Sequence, residues 1–404
     1  MINFIVVGKC KRVTSAVLQA IRSFTDAKCV VIGGTETRIF RWSRLCKRQM
    51  TIELDGRDDA RFVEAVQAIR LRTPHVILVP VDCDGIRLVN RVREQLPVAV
   101  TPIPDTATLD MFDNKWRFHQ FCTRHGLAVP LTRHVASKSA LDFDAIACEL
   151  GLPFVVKPLN LAGSAGVLIV HDRSEFEQRI LHDADYDYGP LVVQRYIAGE
   201  DIDISFLAIG GRISAFAIQQ TEGAHIRFLP HAELESMAAR LCAAGAFHGV
   251  MHVDARIESA TGKVFLIESN PRFWASLTAC VWGGLNFVAE SIVPVARKDG
   301  MRRLIAGVVN MRNPLVRPAT WRQLVLDTSA RGRLLRTVAF DPPATGAFVR
   351  ELPLSCWRYA VKQVASLLEW RAADVQDAVT IAGAGVTHST GTESASGDMT
   401  KEAA

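Results

Sequence analysis

The sequence predicts a mixed α/β protein of more than one domain, on three observations. Its first hundred residues alternate short apolar runs with segments of helical spacing, the pattern of a parallel sheet covered on both faces. Residues 101–110, TPIPDTATLD, carry two prolines and read as a linker, so a first α/β domain spans 1–105 and a second begins at 106. Within that second domain, residues 249–276, GVMHVDARIESATGKVFLIESNPRFWAS, read as an antiparallel β-hairpin, so the fold mixes α/β with α+β structure. A chain of 404 residues is long enough for two or three such units, each with a core.

In the first domain, Phe4 to Val7, Cys29 to Ile32, Val76 to Val79 and Val98 to Val100 are strand-like. Between them, Ser15 to Phe24 is helical through Val17, Ile21 and Phe24, and Ala60 to Ile69 through Phe62, Val63, Val66 and Ile69. Gly8 follows the first strand as a lone glycine, which is a tight turn and no dinucleotide fingerprint. Arg38, Arg41, Arg44 and Lys47 recur at i, i+3, the spacing of one helical face, either solvated or forming a rim that attracts anions.

Beyond the linker, Met111 to His125 has helical spacing and ends at Gly126, with Asp113-Asn114-Lys115 inside it. A second helix, Ala140 to Leu150, stops at Gly151 and leads into Pro153-Phe-Val-Val-Lys157-Pro158, a strand that ends on a lysine. The loop Asn160-Leu-Ala-Gly163-Ser164-Ala-Gly166 is built of small residues whose amides can approach an anion closely. Leu191 to Ile197 is a further strand, and Asp203 to Ala208 and Ile213 to Ile218 flank a Gly210-Gly211 turn. Glu233 to Cys242 reads as a helix leading into the hairpin.

In the hairpin, apolar Met251, Val253, Ala255 and Ile257 alternate with polar His252, Asp254, Arg256 and Glu258. Symmetry about Thr261 sets Asp254 opposite Glu268. Two carboxylates at roughly 5 Å repel unless a positive charge lies between them. A hard divalent cation supplies one, with Asn270 as a further oxygen donor on the same face. An exposed acidic strand face neutralised by Arg256 would show the same spacing.

The continuation Glu268-Ser-Asn270-Pro-Arg272 sets an acid, an amide and a guanidinium at alternate positions of a strand end. This resembles the ATP-grasp superfamily, and Phe273-Trp274-Ala275-Ser276 looks most like a branch of carboxylate ligases related to biotin carboxylase and carbamoyl phosphate synthetase. The resemblance extends to Lys115, to Lys157 with its small-residue loop, and to Gln194-Arg195-Tyr196-Ile197 with Gly199-Glu200-Asp201, all in the family's order. It implies a two-lobed ATP-grasp domain over 106–296, its lid lobe about 130–200, behind the small α/β domain of 1–105.

By that resemblance Lys115 and Lys157 contact nucleotide phosphates, and Gly163, Ser164 and Gly166 belong to a lid loop. Ser164-Ala165 departs from the Gly-Gly-Lys found there in many members. Gln194 stands where a glutamate is commoner, the backbone of 195–197 reads adenine, and Asp201 or Glu200 accepts from the ribose. Asp254, Glu268 and Asn270 hold magnesium, or manganese in its place, while Arg272 holds a carboxylate or stabilises an oxyanion. The implied activity is an ATP-dependent ligase joining a small-molecule carboxylate to an amine or other nucleophile through an acyl phosphate, with release of ADP and phosphate. A phosphotransferase or a non-catalytic nucleotide-binding protein would keep the same fold.

Forty-seven basic against 42 acidic residues leave a net charge of +5, too small to argue for nucleic acid as a partner. Nine cysteines without a CxxC pair suit free thiols in a reducing compartment. The N-terminal apolar run is too short for a signal peptide, and no run of 18 apolar residues follows, so a cytoplasmic location is expected. A homodimer is compatible with these features. Residues 297–376 read as a basic, mostly helical extension with Trp321, Trp357 and Trp370, either packed on the core or facing nucleic acid or an anionic membrane. From 377 to 404, Ala, Gly, Ser and Thr dominate and disorder is expected.

Overall fold

The computed structural model describes residues 3–161, 163, 165–292 and 300–343. Ser164, the later part of the basic extension and the 377–404 tail lie outside the described residues.

The first domain is built on strands β1 (Asn3–Val7), β2 (Cys29–Gly33), β3 (Cys46–Thr51), β4 (Val76–Pro80) and β5 (Ala99–Val100), with helices α1 (Lys11–Phe24), α2 (Asp59–Arg72) and α3 (Cys83–Val92). The sheet is parallel throughout, in the order β3-β2-β1-β4-β5. Chain direction across the sheet reverses between β1 and β4, the position where doubly wound sheets leave a crevice. Asp82, just after β4, stands at that position. Its carboxylate accepts from the backbone N–H of Lys9 and Cys10, both at 2.7 Å, and from Gly85 at 2.9 Å, capping α3 and fixing the β1–α1 turn together.

The basic run does not form one helical face. Arg38 and Arg41 lie on a 3-10 helix, Thr35–Trp42, which ends before Ser43, and Lys47 is already in β3. The i, i+3 spacing therefore spans three kinds of backbone, and hydrogen bonding of β3 to β2 decides the break.

Helices α4 (Thr106–Asp113) and α5 (Lys115–Arg124) stand where the sequence reads one helix. Asn114 adopts an extended conformation, with φ −91° and ψ 117°, and its side chain caps α5 by accepting from Arg117 N. An Asn supplies the cap that a continuous helix would not use. This break leaves Lys115 as the first helical residue, and it is buried.

The next lobe is an antiparallel sheet of β6 (Thr132–Val135), β7 (Phe154–Pro158), β8 (Leu168–Val170) and β9 (Leu191–Arg195), in the order β6-β9-β7-β8. It is backed by α6 (Phe143–Leu150) and the short α7 (Arg173–Phe176), around a core of Phe154, Val156, Phe176, Leu191 and Val193.

The large sheet contains β10 (Gly199–Ile209), β11 (Arg212–Glu222), β12 (His225–Phe228), β13 (Gly249–Glu258), β14 (Val264–Asn270), β15 (Arg302–Leu304) and β16 (Gly307–Asn310). Its order is β14-β13-β10-β11-β12-β16, with β15 beside β11. Helices α8 (Ala232–Ala244), α9 (Leu277–Gly283) and α10 (Phe287–Ile292) follow the chain around it, and α11 (Pro318–Leu326) and α12 (Ala330–Phe340) come after β16. The basic extension thus opens with two strands that widen this sheet before its helices begin.

The period of two divides the large sheet's side chains. Ile202, Ile204 and Phe206 of β10, with Met251, Val253 and Ala255 of β13, face a core shared with Phe112, Phe118, Leu234 and Leu241. Trp274, Leu277 and Phe287, beyond β14, pack instead with Val13, Val17 and Ile21 of α1. One face of α1 therefore serves both the first domain and the large sheet. Burying each such side chain contributes on the order of 1.5–3 kcal/mol, so α1 ties the two together.

Asp82→Ala should strand three backbone donors at once, that of Gly85 fully buried. A loss of about 2–4 kcal/mol in urea unfolding is expected, with a smaller loss for Asp82→Asn, which keeps one acceptor oxygen. Equal stability of Asp82→Ala and the parent would show that the turn does not depend on that carboxylate.

Candidate active site

On β10 the residues opposite the Ile202/Ile204 core face are Asp201, Asp203 and Ser205. Strand pairing sets Asp203 beside Gln219 of β11 on one side and Asp254 of β13 on the other, and Asp254 beside Glu268 of β14. Four adjacent strands thus present Gln219, Asp203, Asp254 and Glu268 in a lateral row. One step along the strands, Ser205, His252 and Asn270 form a second row. Three carboxylates on neighbouring strands repel one another unless the surroundings supply positive charge.

The pairing of Asp254 with Glu268 depends on an irregularity that symmetry about Thr261 omits. Next to the turn the register is Ile257 with Val264 and Ala255 with Leu266, one residue out of step with that symmetry. It shifts between Asp254 and Ala255, where Ile267 is an extra residue on β14, and this bulge brings Glu268 opposite Asp254. Without the bulge Glu268 would point to the other face of the sheet.

Positive charge arrives from several elements. His252 Nε2 lies 3.0 Å from Asp254 Oδ1, its Nδ1 shares a 2.8 Å hydrogen bond with Ser205 Oγ, and its ring stacks on Trp274 at 5.6 Å and 14°. Burial alone would raise the Asp254 pKa, yet the charge and hydrogen bond of His252, with Lys157 behind them, hold it below the ordinary range. Burial would likewise lower His252, and Asp254 and Asp203 outweigh that to raise it. Asp203 is pushed up, chiefly by burial and then by its carboxylate neighbours.

Two lysines approach from the other side. Lys115 Nζ donates to Leu161 O at 2.6 Å and stands 3.6 Å from Glu268 Oε2. An ammonium at the first position of a helix meets the positive end of the helix dipole, which disfavours it unless an anion is close. Lys157, at the end of β7, is only 3% exposed against 8% for Lys115. Burial lowers its pKa to about 8, although Glu268 pulls the other way.

At the exit of β14, Arg272 is fixed by donating from Nη2 to Asn270 Oδ1 at 2.9 Å and from Nη1 to Phe273 O at 2.8 Å. Asn270 Nδ2 in turn donates to Asp254 Oδ2 at 3.2 Å. Acid, amide and guanidinium are one connected set. Carboxylate and amide oxygens are the donors a hard divalent cation takes, but Asn270 Oδ1 is engaged by Arg272, and the ligand atoms that lie within 4.8 Å of one another are those of Asp203, His252 and Asp254.

The segment 196–198 joins the small sheet to the large one. Gln194 is buried and donates from Nε2 to Thr132 Oγ1 at 2.9 Å, while Arg195 pairs with Glu258 at 3.2 Å and Tyr196 lies under the Arg256 guanidinium at 5.1 Å. Ile197 is buried. Gly199 opens β10 so close to β13 that a Cβ there would fall 1.8 Å from Ile257 O. Asp201 and Glu200 separate: Asp201 shares the carboxylate face and sits 3.2 Å from Arg256, whereas Glu200 faces the other way and accepts from Gln220 at 3.2 Å. In the loop after β7, Gly163 and Gly166 both have φ of +70°, and Gly166 O accepts from Tyr186 Oη at 2.8 Å. A Cβ on Gly166 would meet Pro158 and Tyr188 at 2.7 Å.

The sequence reading misses Asp203 and His252 as members of this cluster. Both signals were present: Asp203 alternates with Asp201, and His252 precedes Asp254 by two on the same strand face. What pattern alone lacked was the pairing of β10 with β13.

The family model for the ATP-grasp domain matches residues 112–276, the segment that carries Lys115, Lys157, the 194–201 stretch and the carboxylate row. The arginine-specific large chain of carbamoyl phosphate synthase from Bacillus subtilis is 26% identical over 220 residues, covering 50% of this chain and 20% of that protein. A D-alanine–D-alanine ligase of Xanthomonas axonopodis pv. citri is 36% identical over 95 residues, covering 23% of this chain and 30% of the ligase. The chain thus spans a third or less of the length of these relatives. Among solved structures, N5-carboxyaminoimidazole synthetase from Staphylococcus aureus complexed with ADP superimposes with a TM-score of 0.58 at 13% identity, over 77% of this chain and 80% of that one, a likeness of fold. Residues 112–276 of the chain form an ATP-grasp domain.

Proposed function

We propose that the protein is an ATP-dependent carboxylate–amine ligase. The observation that carries this reading is the meeting of Asp254, Glu268 and Asn270 with two buried lysines and Arg272 on one sheet face. A cluster poor in exposed counter-charge but rich in buried ammonium and carboxylate is suited to a polyphosphate with its cation. D-alanine–D-alanine ligase, among the relatives, joins a carboxylate to an amine, which supports the reaction class.

In this reading the backbone of Arg195 to Ile197 reads adenine, Gln194 accepts from the exocyclic amine, and Asp201 accepts from the ribose. Lys115 and Lys157 bind the phosphates, and the small-residue loop around Gly163 and Gly166 covers them. Asp254, Glu268 and Asn270 would hold magnesium, which neutralises phosphate charge when bound. Arg272 orients the acceptor carboxylate, which takes the terminal phosphoryl group to become an acyl phosphate. The amine then displaces phosphate, and ADP is the nucleotide product.

The test is ADP release from ATP across pools of carboxylates and amines. Turnover should require both a carboxylate and an amine, yield ADP and phosphate, and fall by at least about a hundredfold in Glu268→Gln. Asp254→Asn should be impaired as well, with apo stability somewhat lowered, because the carboxylate's net interaction with His252 and Lys157 is favourable. AMP and pyrophosphate as products, or full activity of both variants, would contradict the mechanism. Nucleotide binding without turnover on any pool would leave a nucleotide-binding protein.

Lys157 provides a pH test. Its folded pKa, about 8, lies below the 10.5 of the free side chain, so between those values the unfolded chain holds a proton that the folded one has lost. Stability relative to Lys157→Met should therefore rise with pH across that window. Phosphates beside the ammonium favour its charged form, so nucleotide binding near pH 8.5 should take up a proton. Calorimetry in buffers of different ionisation enthalpy should show that uptake in the parent and lose it in Lys157→Met. Equal uptake in both would assign the proton elsewhere.

A further inference from the structure

We propose a second anion-binding site, in a recess between α1 and α12, for a small phosphate-bearing molecule. The recess has a volume of about 360 Å³ and is lined by Arg22, Lys28, Arg44, Arg333 and Arg336, with Asp26 as the one acid and Ala27, Leu45 and Phe340 as apolar wall. None of these residues belongs to the carboxylate row or its lysines, so the proposal is independent of the ligase reading.

Five cations line the concavity against one lining carboxylate, and with Asp341 behind Arg44 counted as well, the balance is three positive charges. Asp26 pairs with Arg22 across one turn of α1 and its end. Arg336 directs Nη1 at Leu324 O and Asp327 O, at 3.2 and 2.7 Å, and Arg333 reaches Thr328 O at 3.1 Å. These carbonyls orient the two guanidinium groups without neutralising them. Like charges gathered in this way are favourable only with an anion among them, and planar guanidinium forks match phosphate oxygens in pairs. The volume lies within the range of small-molecule sites. Phe340, 47% exposed, offers an apolar face to an organic portion of the ligand.

The surrounding structure already accepts negative charge. Asp341, directly after α12, places its buried carboxylate 2.7 Å from Arg44 N and 2.9 Å from Ser43 Oγ, so α12 is anchored beside the recess by an acid seated in the first domain. A dianion in the recess would add a second bond between the same elements, joining Lys28 and Arg44 of the first domain to Arg333 and Arg336 of α12. Arg44, singled out by the basic spacing of the sequence, finds its use here and away from the nucleotide-binding elements.

Inorganic pyrophosphate is the probe, titrated calorimetrically into the full chain at constant ionic strength. Saturable binding at the recess is expected in the parent and is retained in a Lys115→Met/Lys157→Met protein, whose active-site lysines are gone and which loses any phosphate binding of its own there. Lys28→Glu and Arg44→Glu should each weaken it by about tenfold or more, the factor for one lost charge-assisted contact. Arg44→Lys, which keeps the charge and loses the fork, should weaken binding less than Arg44→Glu. Hydrogen exchange should slow in α12 when pyrophosphate is present, a readout that general ionic screening does not give. Lys28 is exposed, so its variant reports on binding without a folding defect. Absence of saturable binding, or binding lost in the lysine double variant and retained in Lys28→Glu and Arg44→Glu, would overturn the proposal.

Discussion

The candidate site depends on one lateral constraint: Asp203, Asp254 and Glu268 occupy the same row of three neighbouring strands. The backbone pairing sets their spacing, and side-chain flexibility can relieve only part of the repulsion. His252, Lys115 and Lys157 are the protein's partial answer, each brought by a different element. An arrangement that serves folding alone would replace some of these charges with apolar groups, because buried ion clusters stabilise weakly at best. The cluster makes physical sense as a place where phosphate and a cation complete the charge balance.

The cores on either side hold that row in place by different means. Alternate residues of β10 and β13 are sealed under α8 and the phenylalanines at 112 and 118, while Trp274 carries the strand exit into the core that α1 shares. His252 stacks on Trp274, so the orientation of the group nearest Asp254 is linked to packing that reaches the first domain. At the switch point of that domain, the Asp82 carboxylate ties the β1–α1 turn to the start of α3.

Much of this was legible in the sequence because it rests on local periodicity. The parallel first domain follows from strand and helix patterns, and the hairpin from alternation around a turn. The Asp254–Glu268 pair follows from that alternation too, although its actual cause includes the bulge at Ile267, which hydrophobic pattern does not encode. The break at Asn114 was invisible to helical spacing, since apolar residues continue across it, and only the cap shows why Lys115 begins a new helix. Asp203 and His252 required knowledge of which strands are neighbours, a non-local fact. The recess between α1 and α12 joins residues some three hundred positions apart, so no spacing rule reaches it.

The central claim is that the carboxylate row binds a divalent cation together with nucleotide. Manganese electron paramagnetic resonance with a non-hydrolysable ATP analogue tests it most directly, because manganese reports oxygen ligation without requiring turnover. The account predicts weak manganese binding alone, strong binding once nucleotide is present, and loss of that enhancement in Asp254→Asn and Glu268→Gln. Nucleotide binding that proceeds equally well without the metal, with both variants indistinguishable from the parent, would contradict it.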